Sequence, residues 1–277
     1  MTVDSTVPPR ATARTSAGRS SGTAPSDHGR PSLLRLTVVE LRKLTDTRSG
    51  FWLLVVIALL SAGIVTVFVL SVPDGDQRFD NLFAAAQIPV GLLLPVLGIL
   101  LVTSEFSQRT LSTTFALVPR RHRVVLAKLA AGVLAALAAV VVCLATTTVG
   151  TLLATGDGAT PGAWSTSAAA ILGSAVFLVV NMLMGIAFGL MLHSTPLAIV
   201  LSLVLPVAWS VLGELVTRLR SAAEWLDIGT TTAVLVEPPA AGDLTAGQWA
   251  RLAVSVAVWV GVPLVAGLVR TARREVS

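Results

Sequence analysis

Charged side chains are scarce in this chain of 277 residues. Asp, Glu, Lys and Arg together make up 13% of it, hydrophobic residues make up 54%, and the mean hydropathy is +0.81. A water-soluble domain carries about a quarter charged residues. The shortage of charge therefore excludes an ordinary soluble domain, and the long charge-free apolar runs predict helices that span a membrane.

Cysteine is almost absent as well. Cys143 is the single cysteine and lies inside an apolar run, so the chain cannot form an internal disulfide. We interpret it as a small buried apolar side chain.

Motifs for nucleotide, metal or hydrolytic chemistry are missing. The sequence contains no G-x-x-x-x-G-K-S/T, no H-E-x-x-H and no G-x-S-x-G. We therefore expect a chain that is not an enzyme, does not hydrolyse ATP alone and holds no metal or cofactor. No Asp, Glu, Lys or Arg lies near the middle of an apolar run, which argues against a proton- or sodium-driven carrier. A sodium-driven carrier whose sodium sites are built from backbone carbonyls stays an open alternative.

The apolar runs predict an all-α, polytopic membrane protein with six transmembrane helices. The expected spans are about 51–72, 82–103, 124–154, 166–192, 196–213 and 249–270. Residues 1–31 are rich in Ser, Thr, Pro, Gly and Arg, a composition that cannot bury enough apolar surface to offset ordering entropy. We expect a disordered cytoplasmic tail there, followed by a transmembrane domain at 32–277.

An amphipathic helix is expected at residues 32–48, just before the first span. Ser32 is a suitable N-cap, and Glu40 is the one charge that departs from the pattern. The apolar face comprises Leu33, Leu34, Val38, Leu41 and Leu44, and the opposite face Arg35, Arg42, Lys43 and Asp46. We predict that this helix lies in the plane of the membrane interface. A simple topology anchor is the alternative.

Residues 214–248 form the longest connection outside the predicted spans. Apolar residues between 219 and 226 indicate a short amphipathic helix. Residues 230–236 are apolar but too few to cross a bilayer, and they predict a re-entrant segment.

Basic residues are distributed unevenly between the two sides of this topology. Of the 20 Lys and Arg residues, only Arg78, Arg218, Arg220 and Arg251 fall in segments assigned to the outer side. Basic residues beside spans favour the cytoplasmic face. We therefore predict an inner (cytoplasmic) membrane protein with both termini in the cytoplasm. Charge sorted in this way also argues against nucleic acid as a partner.

The segment between the second and third spans, residues 104–123, is best suited to contact a cytoplasmic partner. Leu111, Phe115 and Val118 recur at i, i+4 and i+7, as on a short helix that Pro119 would end. The basic residues that follow are Arg120, Arg121, Arg123 and Lys128. The alternative is that this basic run only anchors the third span.

This segment reads S-E-F-S-Q-R-T-L-S-T-T at 104–114, with P-R-R at 119–121 and A-K at 127–128, and it matches most of the pattern S-E-Y/F-x-x-G-T-I/L-x-T-T, P-R-R and A-K. The matching residues are Ser104, Glu105, Phe106, Thr110, Leu111, Thr113, Thr114, Pro119, Arg120, Arg121, Ala127 and Lys128. With these residues the chain resembles the first cytoplasmic loop of ABC-2-type transporter permeases, the membrane subunits of type V ABC exporters. Residues 40–49 resemble the N-terminal interfacial helix of that family, and Arg109 replaces its usual glycine.

The resemblance implies the permease subunit of an ATP-driven exporter of a hydrophobic or amphipathic substrate. ATP and Mg would be bound by a separate P-loop ATPase, and the permease would pair with a second permease protomer in membrane lipid. An outer helical hairpin between the fifth and sixth spans is also implied. The ATPase-coupling interface would comprise Glu105, Phe106, Arg109, Thr110, Arg120, Arg121 and Arg123, together with Glu40, Arg42 and Lys43.

Four residues inside the predicted spans are candidates for a transport pathway or for helix packing. Asn181 is expected to hydrogen-bond a neighbouring helix, and Gln87, in the outer third of the second span, is a pathway candidate. Gly185 and Gly189 form a G-x-x-x-G that we expect to pack within the chain rather than between chains.

Two other classes of protein stay open. A non-transporting membrane anchor or assembly protein would recruit a partner through its basic inner face without any flux. A secondary carrier, disfavoured by the missing intramembrane charge, would respond to uncouplers rather than to ATP depletion.

Overall fold

The structure, a computed structural model, describes residues 32–71, 73, 77–107, 121–155, 162–236 and 244–273. Its helices are α1 (Leu33–Asp46), α2 (Arg48–Ser71), α3 (Phe79–Ser107), α4 (Arg121–Thr155), α5 (Ala168–Leu192), α6 (Thr195–Leu215), α7 (Arg220–Leu226), α8 (Ile228–Val236), α9 (Ala246–Val256) and α10 (Val262–Arg273). A 3₁₀ turn, Thr217–Leu219, precedes α7, and a π-helical turn, Ala257–Gly261, joins α9 to α10. The tail predicted at 1–31 lies outside the described residues.

Six helical stretches in the described part of the chain are long and apolar enough to cross a membrane. They are α2 to α6 and the continuous stretch Ala246–Thr271, which includes α9 and most of α10. Between residues 32 and 273, the described segments contain helices and no strands. The all-α class and the six predicted spans are therefore confirmed, and the chain is a multi-pass membrane protein.

Helix boundaries differ from the prediction mainly in α3. The second span was expected at 82–103, but α3 begins at Phe79 and continues to Ser107. Pro89 and Pro95 lie inside it. Proline is tolerated within a transmembrane helix because neighbouring helices and side chains satisfy the backbone groups that it leaves free. Glu105 and Phe106 therefore belong to the last turn of α3 and not to a separate loop.

α3 and α5 form the centre of the bundle. In their most apolar stretches 67% and 56% of residues are buried, against 17% in α2 and in α6. Large apolar side chains such as Trp52, Leu70 and Val207 are exposed on the outer helices. An apolar surface of this extent requires lipid or another protein to cover it.

Glycines allow α3 and α5 to pack closely. A Cβ on Gly185 would overlap the carbonyl oxygen of Pro95, and a Cβ on Gly189 would lie 3.3 Å from the Cα of Ile99. On α3, a Cβ on Gly98 would lie 2.6 Å from the Met182 carbonyl oxygen. The G-x-x-x-G of α5 thus faces α3 of the same chain, the usual arrangement of small residues between membrane helices.

The face of α1 that contacts the bundle includes only part of the predicted apolar face, since Leu41 and Leu44 pack against the core. Thr37, Glu40 and Leu44 are buried, whereas Leu34 and Val38 are exposed. The physical reason is that a cation of α4 lies opposite Glu40, so the bundle accommodates a carboxylate there, as described below. The predicted N-cap is present, since Oγ of Ser32 accepts from the Arg35 amide at 3.2 Å.

α1 turns abruptly into α2. Thr47 is the single residue between them, and its Oγ1 accepts from the Gly50 amide at 3.3 Å. A Cβ on Gly50 would overlap the Leu44 carbonyl oxygen, so the turn leaves no room for a larger residue. The orientation of α1 is therefore set partly at this junction.

The predicted outer connection contains two short helices, α7 and α8. Asp227 separates them, and its Oδ1 accepts from the amides of Gly229 at 2.9 Å and Thr230 at 3.2 Å, which caps α8. α8 is too short to span a bilayer and packs against α5, where a Cβ on Gly173 would overlap the Leu235 carbonyl oxygen.

The packing at Gly185 predicts a specific stability effect. Gly185→Ala should destabilise the detergent-solubilised protein by roughly 1–3 kcal/mol, because the new methyl group has to displace the backbone of α3. Gly63→Ala is the matched control, since a Cβ on Gly63 of α2 meets nothing within 4 Å. Thermal unfolding of both variants measures the difference. Equal melting temperatures would contradict the close packing of α3 and α5.

Candidate functional site

One end of the helix bundle collects α1, the C-terminal end of α3, the start of α4 and the junction of α5 with α6. There Oγ1 of Thr195 donates to Oγ1 of Thr103 at 2.8 Å, and Nη1 of Arg270 donates to the Met191 carbonyl at 2.9 Å. We call this end the α1 end. The segment 108–120, which lies outside the described residues, joins α3 to α4 here.

A buried ion pair holds α1 to this end. Nζ of Lys128, on α4, lies 2.7 Å from Oε2 of Glu40, on α1, and each side chain is 5% exposed. The same ammonium group donates to the Leu101 carbonyl of α3 at 3.2 Å. One lysine therefore joins three helices.

The second oxygen of the carboxylate also has a cationic partner. Nζ of Lys43 lies 2.7 Å from Oε1 of Glu40, one helical turn along α1, with its side chain 38% exposed. The carboxylate of Glu40 is thus placed between two ammonium groups. Both of its oxygens are satisfied, which buried charge requires.

The two ion pairs differ in what they contribute. Removing one partner of a buried pair leaves the other charge uncompensated and costs about 3–5 kcal/mol. A pair with a partly exposed partner contributes about 0–1 kcal/mol because water screens it. The contact between Glu40 and Lys128 is therefore the one that holds α1 in place, and Lys43 is secondary.

The structure brings some of the predicted coupling residues to the α1 end. Glu40 and Lys43 form the ion pairs, Arg42 is exposed, and Arg123 is partly buried in the first turn of α4. Glu105 and Phe106 lie on the last turn of α3 and Arg121 is the first residue of α4, but their side chains are not described. Arg109, Thr110 and Arg120 lie outside the described residues.

Lys128 was counted from sequence as one more basic residue of the inner side, and its pairing was missed. The available signal was Glu40, which departed from the amphipathic pattern of its helix. An acidic residue out of place on one helix and a lysine inside the start of a span indicate a pair. Sequence alone does not say that these two meet.

A second feature, a groove of about 770 Å³, lies between α3, α5, α6 and α8, in the half of the bundle away from the α1 end. Both amide residues singled out from the sequence, Gln87 and Asn181, line it. Asn181 does not make the expected bond to a neighbouring helix, because its Nδ2 donates to the Phe177 carbonyl of its own helix at 3.0 Å.

Metal binding finds no support in the described segments. No group of three or more His, Cys, Asp or Glu side chains within them is arranged to hold a metal ion.

Two sequence comparisons found no relative of this chain. No protein-family model matches it, and no curated protein matches it in a sequence search.

The buried pair predicts an ordered series of stabilities. Glu40→Gln should lower the free energy of unfolding by about 3 kcal/mol, because it leaves the ammonium of Lys128 buried without a counter-charge. Lys43→Met is the matched control and should lower it by less than about 1 kcal/mol. The double variant Glu40→Met with Lys128→Met should recover most of the loss, since both charges leave together. Denaturant titration in mild detergent tests the series. A Glu40→Gln variant as stable as Lys43→Met would show that the pair does not hold α1.

Proposed function

We propose that this protein is the permease subunit of an ATP-driven ABC exporter in the cytoplasmic membrane. It would couple ATP hydrolysis by a separate P-loop ATPase to the export of an amphipathic substrate. The observation that supports this most is the buried pair of Glu40 and Lys128. That pair joins α1 to α3 and α4, the two helices that flank segment 108–120, where the resemblance places the ATPase dock.

A motor outside the membrane can drive the spans only through contacts that transmit its movement. Coupling between distant sites is carried by packed side chains, ion pairs and rigid helices. Lys128 bonds to Glu40 of α1 and to the Leu101 carbonyl of α3. A push on either α1 or the segment between α3 and α4 would therefore move all three helices together.

The surface of α1 supports a position at the membrane interface. Besides its buried face, it has an exposed apolar side with Leu34 and Val38 and an exposed charged side with Arg35 and Arg42. A helix with one face on the bundle, one apolar face and one charged face fits the boundary between lipid and water. The basic residues of this end favour the cytoplasm, which would put both termini there.

In this proposal the chain supplies two conformations and the partner supplies the energy. ATP and Mg bind to the ATPase pair, whose closure favours one arrangement of two permease protomers over the other. ATP can shift the equilibrium between the two arrangements only as far as its affinities for the two differ. The substrate then leaves on the side opposite the α1 end.

Reversing the charge of the loop should separate permease from ATPase. Arg120→Glu with Arg121→Glu should weaken co-purification of a P-loop ATPase by at least about tenfold, since like charges would face the dock. Arg218→Glu with Arg220→Glu, at the opposite end, is the matched control and should have no effect. Purification from native membranes in mild detergent measures both. Undiminished association would make the basic run a topology anchor, and recovery without any P-loop ATPase would favour the non-transporting anchor instead.

The orientation can be tested independently. In a Cys143→Ser background, Ser221→Cys should react with a membrane-impermeant maleimide on intact cells, because α7 is assigned to the outer side. Ser112→Cys, in the segment between α3 and α4, should react only after permeabilisation. The reverse pattern would place the loop outside the cell and contradict the exporter.

A further inference from the structure

One residue that lines the groove between α3, α5, α6 and α8 has a buried polar atom without a hydrogen-bond partner in the described part of the chain. Gln87 is 2% exposed and lines the groove, and its Oε1 has no hydrogen-bond partner within the described ranges. Its Nε2 donates to the Phe83 carbonyl of its own helix at 3.2 Å. If the amide nitrogen and oxygen of Gln87 were exchanged, the amide oxygen would face the Phe83 carbonyl oxygen at that distance, and neither could donate. The nitrogen therefore faces Phe83, and the carbonyl oxygen of Gln87 is the atom without a partner.

Asn181 presents a similar group from α5. Its Nδ2 is used on the Phe177 carbonyl, and its Oδ1 has no hydrogen bond to the part of the chain that the structure describes. The groove therefore has two amide side chains on separate helices, each of which donates one of its two N–H groups to the backbone of its own helix. Of the two carbonyl oxygens only Oε1 of Gln87 is both buried and without a donor among the described residues, and buried polar groups are normally hydrogen-bonded.

The remaining lining determines the rest of the ligand. The walls are largely apolar, with Phe68, Phe177 and Met184 among them, and no described residue that lines the groove is Asp, Glu, Lys or Arg. A ligand with a formal charge would find no counter-charge here, and buried charge requires one. The volume of about 770 Å³ lies in the range of small-molecule sites.

We propose that this groove binds a neutral amphiphile whose hydroxyl or amide N–H donates to Oε1 of Gln87. The aliphatic body of the ligand lies along the apolar walls, and Asn181 provides a second acceptor. This inference rests on the proposed function, for which it names the chemical class of the substrate. Bulk phospholipid is a poorer occupant, since its charged headgroup has no partner among the lining residues.

Photolabelling tests the site without any ATPase. The purified protein in phosphatidylcholine nanodiscs is irradiated with a diazirine-bearing dodecanol, and the labelled residues are mapped by mass spectrometry. Label is expected on groove residues such as Phe177 and Met184. Unlabelled dodecanol should compete, whereas dodecyl methyl ether, which has no donor, should compete roughly fivefold less well. Equal competition would overturn the proposal.

Variants separate ligand binding from folding. Gln87→Met removes the acceptor at similar volume and should reduce labelling roughly fivefold while leaving thermal stability equal or higher, because an unsatisfied buried oxygen is lost. Thr147→Val is the matched control. Thr147 lies on α4, away from the groove, and its buried hydroxyl has no hydrogen-bond partner within the described residues. Its removal should leave labelling unchanged.

Two results with these variants would overturn the site. One is wild-type labelling in Gln87→Met, whatever its stability. The other is labelling confined to monomeric protein, which would mean that a second copy covers the groove. The proposed function fails separately. Selective binding of dodecanol by a protein that recovers no P-loop ATPase would retain the ligand site and remove the exporter.

Discussion

The contact between Glu40 and Lys128 is the constraint on which the α1 end depends. The turn between α1 and α2 sets the orientation of α1 only in part, and contacts with the bundle have to fix the rest. Here the holding group is a buried ammonium that also bonds to the Leu101 carbonyl. Because a buried charge without its partner is strongly unfavourable, α1, α3 and α4 are kept together as a unit.

α3 connects this unit to the groove. Leu101, beside the ion pair, and Gln87, in the groove, lie on the same helix, roughly 21 Å apart at a rise of about 1.5 Å per residue. α3 is also the most buried span, held against α5 by contacts at Gly98 and Gly185. A displacement at the α1 end therefore has a continuous and well-packed path to the other half of the bundle.

The candidate site was only partly predictable. Gln87 and Asn181 stood out because polar side chains in apolar spans are uncommon, but that they line one groove depends on how α3 and α5 cross. The hydrogen bond of Asn181 was wrongly expected on a neighbouring helix, because an amide in a span can also bond to the carbonyl four residues earlier. Periodicity assigns a residue to a face and does not say which neighbour that face meets.

The sequence by itself determined the class of this protein. Apolar runs of span length are stable in lipid and not in water, and in lipid they have to form helices. The six helices could therefore be located from the sequence alone. The errors are confined to helix ends, such as that of α3. Only the tertiary structure decided that Glu40 faces the bundle rather than water, and that it forms an ion pair with Lys128. The reason is physical: hydrophobicity acts on each segment separately, whereas a buried charge is stable only where another segment supplies its partner.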